Sequence, residues 1–407
     1  MPSQQSFYSS LGQSATHDNS AVRICIVGGG FGGLYSALAL HRRLRVSPLP
    51  LHITLIEPRD RFNFTPLLYE LLTQELAPWE IAPTYRELLQ STAVELCQDW
   101  VDHIDLPQRT LTLRQGNPLT YDYLVVAMGS QMRPPAVAGS QDHAMPFATV
   151  NDAWQLEARL AALDHLPRVQ VVVAGAGPSG VELACKLSDR LGHRGQIAVV
   201  DRRGEILRAY PERLQRAAMR ALAQRRVSVY LDAAIETVDG NGLTFGYQGQ
   251  PHHCPADLML WTVGTVPRPW PGSNAPKQTF LGQCWVRPTL QLPDHDNVFV
   301  VGDMAAMPAP GRERAPTTAQ SAYQAGPVVA HNLLALIANR PLKPFIYNHL
   351  GDMLTLGQGD AVVCGFGLCI TGRLGAFSRR WAYWLRLPTM AHRWRVLRHR
   401  LGLDRKS

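Results

Sequence analysis

One glycine pattern occurs twice in this chain, and it restricts the possible folds more than any other feature. Gly-x-Gly-x-x-Gly falls at Gly28, Gly30 and Gly33 and again at Gly175, Gly177 and Gly180. Each copy follows a short β-branched run, Val22 to Val27 or Val169 to Ala174. Each precedes a stretch of helical composition, Leu34 to Leu40 or Val181 to Leu187. Strand, glycine turn and helix in that order open a βαβ unit. The first glycine allows the tight turn, the second lets a pyrophosphate approach the backbone, and the third lets helix and strand pack closely. The helix N-terminus then offers unpaired N–H groups and a partial positive charge to phosphates. A second strand in each unit, His52 to Ile56 or Gln196 to Val200, ends on an acid, Glu57 or Asp201. Either carboxylate is placed to accept hydrogen bonds from adenosine ribose hydroxyls.

The segments after each unit indicate a domain inserted in another. Tyr121 to Gly129 and Ala256 to Gly264 repeat one pattern, a buried-strand run that ends in glycine. The backbone is expected to cross between domains at Gly129 and Gly264. A further strand, Asn297 to Val301, ends in Gly302-Asp303. The expected fold class is therefore α/β, with two Rossmann-like dinucleotide-binding domains, one inside the other. The first domain takes residues 21–149 and 271–345, and the second takes 150–270. Residues 346–407 form a C-terminal helical segment, and residues 1–20, rich in Ser, Gln, Thr and Asn, read as a disordered tail without signal-peptide character.

Composition narrows the function classes. With 46% hydrophobic and 18% charged residues in 407, the chain suits an ordinary α/β protein, and no run approaches the ~18 apolar residues of a membrane span. Seven cysteines stand singly with no Cys-x-x-Cys, which suits a reducing compartment and gives no metal site. Net charge is +8, yet residues 373–406 alone hold ten Arg or Lys against one acid, Asp404. The excess is thus confined to the C-terminus, where no nucleic-acid reading module surrounds it.

These residues resemble the two-dinucleotide-binding flavoproteins and, within them, the type II NADH:quinone dehydrogenases. The resemblance implies that the first fingerprint holds FAD, that the second holds NADH or NADPH, and that Asp303 binds the ribityl chain. Phe64-Thr65-Pro66-Leu67-Leu68-Tyr69-Glu70 resembles the family's early loop beside the flavin. Gly177 to Ala184 resembles its nicotinamide helix, which implies that Glu182 lies near flavin and nicotinamide. Ala319-Gln320-Ser321-Ala322-Tyr323-Gln324 matches the helix that runs along the flavin and lines a quinone pocket. In chemical terms, hydride transfer needs positioning more than a catalytic acid. Gln320 and Gln324 carry amides able to bond a quinone carbonyl, and Glu182 is a candidate proton relay. The plain alternative for Glu182 is a first-turn acid favoured by the helix dipole.

Residues 61–89 contain no cysteine, which separates the chain from disulfide reductases with a redox pair beneath the flavin. Cys364 and Cys369 are read as free, buried and small. From Ala376 to Leu403, aromatic and aliphatic residues alternate with seven arginines, and Pro388 divides the segment. That pattern fits helices lying in a membrane interface with arginines meeting anionic lipid. A packed terminal helix or a dimer contact is the alternative. The resemblance, to the shorter cyanobacterial and plastid branch, implies a peripheral homodimer on the cytoplasmic face of a thylakoid or plasma membrane. Its membrane-soluble quinone would be plastoquinone or a naphthoquinone such as demethylphylloquinone. NADH or NADPH stays open, because Asp201 favours NADH whereas Arg202 and Arg203 could grip a 2′-phosphate. Two other readings are kept: a soluble reductase of an iron–sulfur protein, and a non-enzymatic redox sensor.

Overall fold

The computed structural model describes residues 21–133, 137–311 and 313–403; the expected disordered tail lies outside them. Two sheets organise the molecule, the first parallel except at its Gln291–Leu292 edge, which pairs antiparallel with His295–Val300. The first has six strands in the order Gln291–Leu292, His295–Val300, Tyr123–Val126, Val22–Val27, Leu51–Ile56 and Val94–Cys97. Strands from before residue 130 and after residue 290 are neighbours there, since Val298 to Val300 pair in parallel with Leu124 to Val126. The second sheet runs Ser228–Tyr230, Gly195–Val200, Val169–Ala174, Leu258–Trp261 and Met145–Pro146, all parallel. Met145 pairs with Leu260, so this sheet begins a few residues before the expected boundary at 150. The chain crosses between sheets after Gly129 and Gly264, where Ser130–Met132 and Thr265–Pro267 pair antiparallel.

Both sheets are covered on two faces, which is why their strands read as continuous apolar runs. Ile24, Ile26, Leu55, Val125, Val171 and Val173 are fully or almost fully buried. Helix Phe31–Leu44 packs on helix Ala319–Ile337, and the crossing is close: a Cβ on Gly326 would stand 2.9 Å from the Ser36 nitrogen.

The C-terminal region corrects two expectations. It is not helical throughout, because Asp352–Gly357, Asp360–Gly365 and Leu368–Thr371 form an antiparallel sheet before helices Gly372–Trp384 and Met390–Arg400. A hairpin of short strands around Gly357, Gly359 and Gly367 has too little periodicity to stand out from helix and turn. Cys364 and Cys369, expected free, face each other across the last hairpin and form a disulfide. The other five cysteines are free.

Candidate functional site

The two glycine turns are near-copies in geometry. Gly28 and Gly175 have φ of 98° and 105°, a conformation that costs glycine little and other residues much. A Cβ on Gly33 would lie 1.8 Å from the Gly28 carbonyl oxygen, and one on Gly180 would lie 1.8 Å from that of Gly175. Gly30 and Gly177 have nothing within 4 Å in that direction, so their backbones face open space. The strand-end acids brace these turns. Glu57 is buried, its Oε2 accepting from the Gly29 N–H at 2.7 Å and its Oε1 from the Arg59 Nε at 2.7 Å. Asp201 accepts from the N–H groups of Ala176 at 2.7 Å and Arg203 at 2.9 Å. Arg203 therefore meets Asp201 through its backbone. Burial pushes the Glu57 carboxyl up, but Arg59 and the backbone donors hold it below the usual range.

The first turn fits a diphosphate-bearing cofactor. Arg268, which no motif marks in the sequence, stands close enough to Arg59 that burial and then the Arg59 charge weaken its hold on its proton. Two guanidiniums beside an open glycine turn form a place for an anion. Gly129, Gly264 and Gly302 also leave their Cβ directions open or lightly occupied. Asp303 accepts from the Ser130 hydroxyl at 2.6 Å, and burial raises its carboxyl despite that bond. Helix Ala319–Ile337 starts at Ala319 behind the cap Thr318, whose hydroxyl accepts from the Ser321 N–H. The prediction is that Arg268→Ala, which removes one charge-assisted contact worth about 1.5 kcal/mol, retains FAD roughly tenfold more weakly. Flavin release on dilution, followed by fluorescence, measures it, and unchanged retention would remove Arg268 from the site.

A cavity of about 440 Å³ opens beside that helix, lined by Phe64, Tyr210, Gln320, Tyr347, Tyr383 and Arg386 among others. The Gln320 Oε1 accepts from the Tyr347 hydroxyl at 2.9 Å and the Leu350 N–H at 3.0 Å. Gln324 behaves differently from its expected role. Its amide is closed on the backbone of Asn348, donating to the carbonyl at 2.8 Å and accepting from the N–H at 3.0 Å, and it does not line the cavity. The sequence pattern pairs the two glutamines because they lie one helical turn apart. The segment 347–351 engages both of them, and of the two Gln320 alone keeps a place on the cavity wall.

Behind the cavity lies a buried ionic cluster. Glu182 accepts from the Thr355 N–H at 2.9 Å and pairs with Arg379 at 3.3 Å. Arg379 also pairs with Glu70 and donates to the Pro66 carbonyl. Arg379 is 3% exposed, so this one of the seven C-terminal arginines faces inward, against the expectation that it meets lipid. Arg380 pairs with Glu75, Arg395 with Glu87 and Arg400 with Glu80. Burial pushes the Glu182 carboxyl up to about 8, against the lowering influence of Arg379 and the Thr355 N–H. Breaking such a buried pair from one side typically costs about 3–5 kcal/mol. Ser130, Arg268 and Arg379 went unnoticed as site residues because each meets its partners across the whole fold. Glu70 alone had a local signal, as the last residue of the early loop.

The fold and these turns define the class. A family model described as pyridine nucleotide-disulphide oxidoreductase matches residues 22–326, and the chain belongs to that family. More narrowly, it belongs with the type II NADH:quinone oxidoreductases. It is 38% identical over 376 residues to demethylphylloquinone reductase of Synechocystis sp., covering 91% of this chain and 93% of that one. It is 35% identical to alternative NAD(P)H-ubiquinone oxidoreductase C1 of Arabidopsis thaliana, covering 93% and 80%. Among solved structures, NDH2 of Plasmodium falciparum in complex with NADH superposes with a TM-score of 0.77 at 16% identity, covering 92% and 96%. The sulfide:quinone oxidoreductase of Aquifex aeolicus gives 0.76 at 21%, covering 90% and 91%. Likeness at these last identities speaks for the fold alone.

Proposed function

We propose that this protein is an FAD-dependent NAD(P)H:quinone oxidoreductase that reduces a membrane naphthoquinone or plastoquinone and pumps no protons. The observation that carries the reading is the cavity between the first unit and the C-terminal segment, with Gln320 on its wall and Glu182 close behind it. FAD, when bound, supplies the two-electron exchange between nicotinamide and quinone. The first unit, with Gly28, Gly30, Gly33, Arg59, Arg268 and Asp303, holds the FAD. The second, with Gly175, Gly177, Gly180 and Asp201, holds the nicotinamide nucleotide. Gln320 orients the quinone head, Gln324 braces the segment beside it, and Glu182 handles a proton. The 38% identity to a demethylphylloquinone reductase supports a naphthoquinone of that class.

A peripheral place on a membrane follows the same reasoning. Among the described residues, no helix is long and apolar enough to cross a membrane. Leu374, Phe377, Trp381 and Leu385 form an exposed stripe at helical spacing, and Phe366 and Leu368 are exposed on the hairpin tip. Paired tryptophans and an apolar face suit the headgroup layer. Beside this stripe a groove of about 190 Å³, lined by Leu67, Trp381, Trp384 and Leu397 among others, offers an apolar path for a quinone tail.

The test is to reduce the FAD-loaded protein anaerobically with NADH or NADPH in a stopped-flow instrument and add naphthoquinone or plastoquinone analogues, following the flavin band. Fast bleaching and fast quinone-dependent return are expected, with the rates naming the preferred nucleotide and quinone. Bleaching without return would overturn the quinone reading. For the membrane, the double variant Phe377→Asp with Trp381→Asp is expected to lose most cosedimentation with phosphatidylglycerol vesicles. Full retention would move the lipid contact elsewhere.

A further inference from the structure

One guanidinium in the buried cluster serves two carboxylates. Arg379 is paired with Glu70 on one nitrogen and Glu182 on another, and all three side chains are at least nine-tenths buried. Removing two negative charges from water against a single positive one is unfavourable, and sites with paired carboxylates relieve it by sharing a proton. Two buried atoms of the cluster have no hydrogen-bond partner, the Glu70 Oε2 and the Arg379 Nε, and of these the carboxylate oxygen is the one that can take up a proton. The other groups around it are accounted for. Lys186, on the helix of Glu182, is buried and engaged by Glu75 and Thr73. Arg380 is on Glu75 as well. Tyr69 is tied to Ser179, and the Thr355 N–H is on Glu182. Two more neighbours, Tyr210 and Tyr383, both line the cavity and sense the Glu182 charge, and the Tyr383 ring lies 5.0 Å beneath the Arg379 guanidinium. The cluster is therefore one side chain behind the cavity wall.

We propose that Glu70 and Glu182 form a single proton-holding pair, clamped by Arg379, which hands to the quinone the proton that the nicotinamide does not carry. This rests on the quinone reading above. In the balance NADH + H⁺ + Q → NAD⁺ + QH₂, the nicotinamide supplies two electrons and one hydrogen, and the remaining proton comes from solvent. The pair stores that proton between turnovers and is refilled from solvent after delivery. Arg379 acts through the two acids and is a positioning residue, whereas Glu70 is the half of the pair that sequence reading left without a role.

The pair is tested on FAD-loaded protein with Glu70→Gln, Glu182→Gln, the double variant and the conservative Glu70→Asp, the flavin spectrum reporting that each is folded and loaded. The first readout needs no turnover: infrared titration of the protonated carboxyl stretch from about pH 5 to about pH 10. Wild type is expected to show one buried protonated carboxyl per chain at neutral pH. Loss of the Glu70 charge leaves Glu182 facing Arg379 alone, so in Glu70→Gln the band titrates away at least about one pH unit lower. Glu182→Gln is expected to lose the band and Glu70→Asp to keep it. In stopped flow, quinone-dependent flavin return should slow on the order of a hundredfold in each Gln variant, with the double variant no slower than the singles, as expected of residues that act as a unit. A Glu70→Gln band and pH profile identical to wild type, or losses that multiply in the double variant, would overturn the pair. If wild type shows no quinone-dependent return, the quinone reading fails instead, and the infrared titration still reports whether the pair exists.

Discussion

Gly33→Ala protein is expected to leave purification almost colourless. The added methyl carbon would stand 1.8 Å from the Gly28 carbonyl oxygen, which belongs to backbone and cannot swing aside. The turn must open or the helix must back away from the strand, and either change misplaces the N–H groups that face the pyrophosphate. Misplacement by about 1 Å is enough for a hundredfold loss, so FAD retention should fall on that order. The paired variant Gly180→Ala meets the same 1.8 Å clash against Gly175 in the second unit. It should keep its yellow colour and lose rapid bleaching by NADH. The ratio of flavin to protein absorbance after gel filtration, followed by mixing with NADH, reads both. A yellow Gly33→Ala protein with normal flavin content would reverse the assignment of the two units.

Replacement of Glu182 by glutamine should also change how stability depends on pH. The buried carboxyl stands at about 8 against 4.5 for an ordinary glutamate, so between those values the folded protein holds a proton that the unfolded chain has released. Its stabilising contribution is complete below about pH 4.5 and is lost as pH rises through about 8. Across that window wild type should lose stability relative to Glu182→Gln by about 1.4 kcal/mol per pH unit. Glutamine keeps an oxygen for the Thr355 N–H and does not titrate. Comparison with the variant isolates this one group, and Glu57 and Glu75, held below 4.5, add slope only at more acid pH, where lowered carboxylates lose their stabilising contribution. Urea midpoints at pH 5, 6, 7 and 8 for the two proteins measure the difference. Parallel curves would mean that Glu182 is ionised in the native state.

What could be read from the sequence was what neighbours in the chain decide together. The fingerprints, their acids and the strand runs ending at Gly129, Gly264 and Gly302 are local patterns, and the strands at Val22–Val27 and Val169–Ala174 start and stop where their composition says. Long-range pairing was out of reach. Arg379 meets Glu70 across 309 positions and Glu182 across 197, and in sequence it is one arginine among seven. Its neighbours encouraged a lipid-facing reading, yet the helix turns it inward to the two acids. The Cys364–Cys369 disulfide was hidden for a related reason. Its five-residue spacing becomes a facing pair only once a hairpin sets the register, and the short strands of that hairpin carry little pattern.

Helix Gly372–Trp384 has two faces with separate duties: Leu374, Phe377 and Trp381 point out, while Arg379 points in. The proposed anchor and the counter-ion therefore ride on one rigid rod. Cutting the chain before this helix, the obvious route to a detergent-free enzyme, would also strand two carboxylates in the interior without their cation. On the membrane contact proposed above, whatever presses or tilts the rod at the lipid surface would also move the guanidinium, and would so bear mechanically on the proposed proton pair behind the cavity.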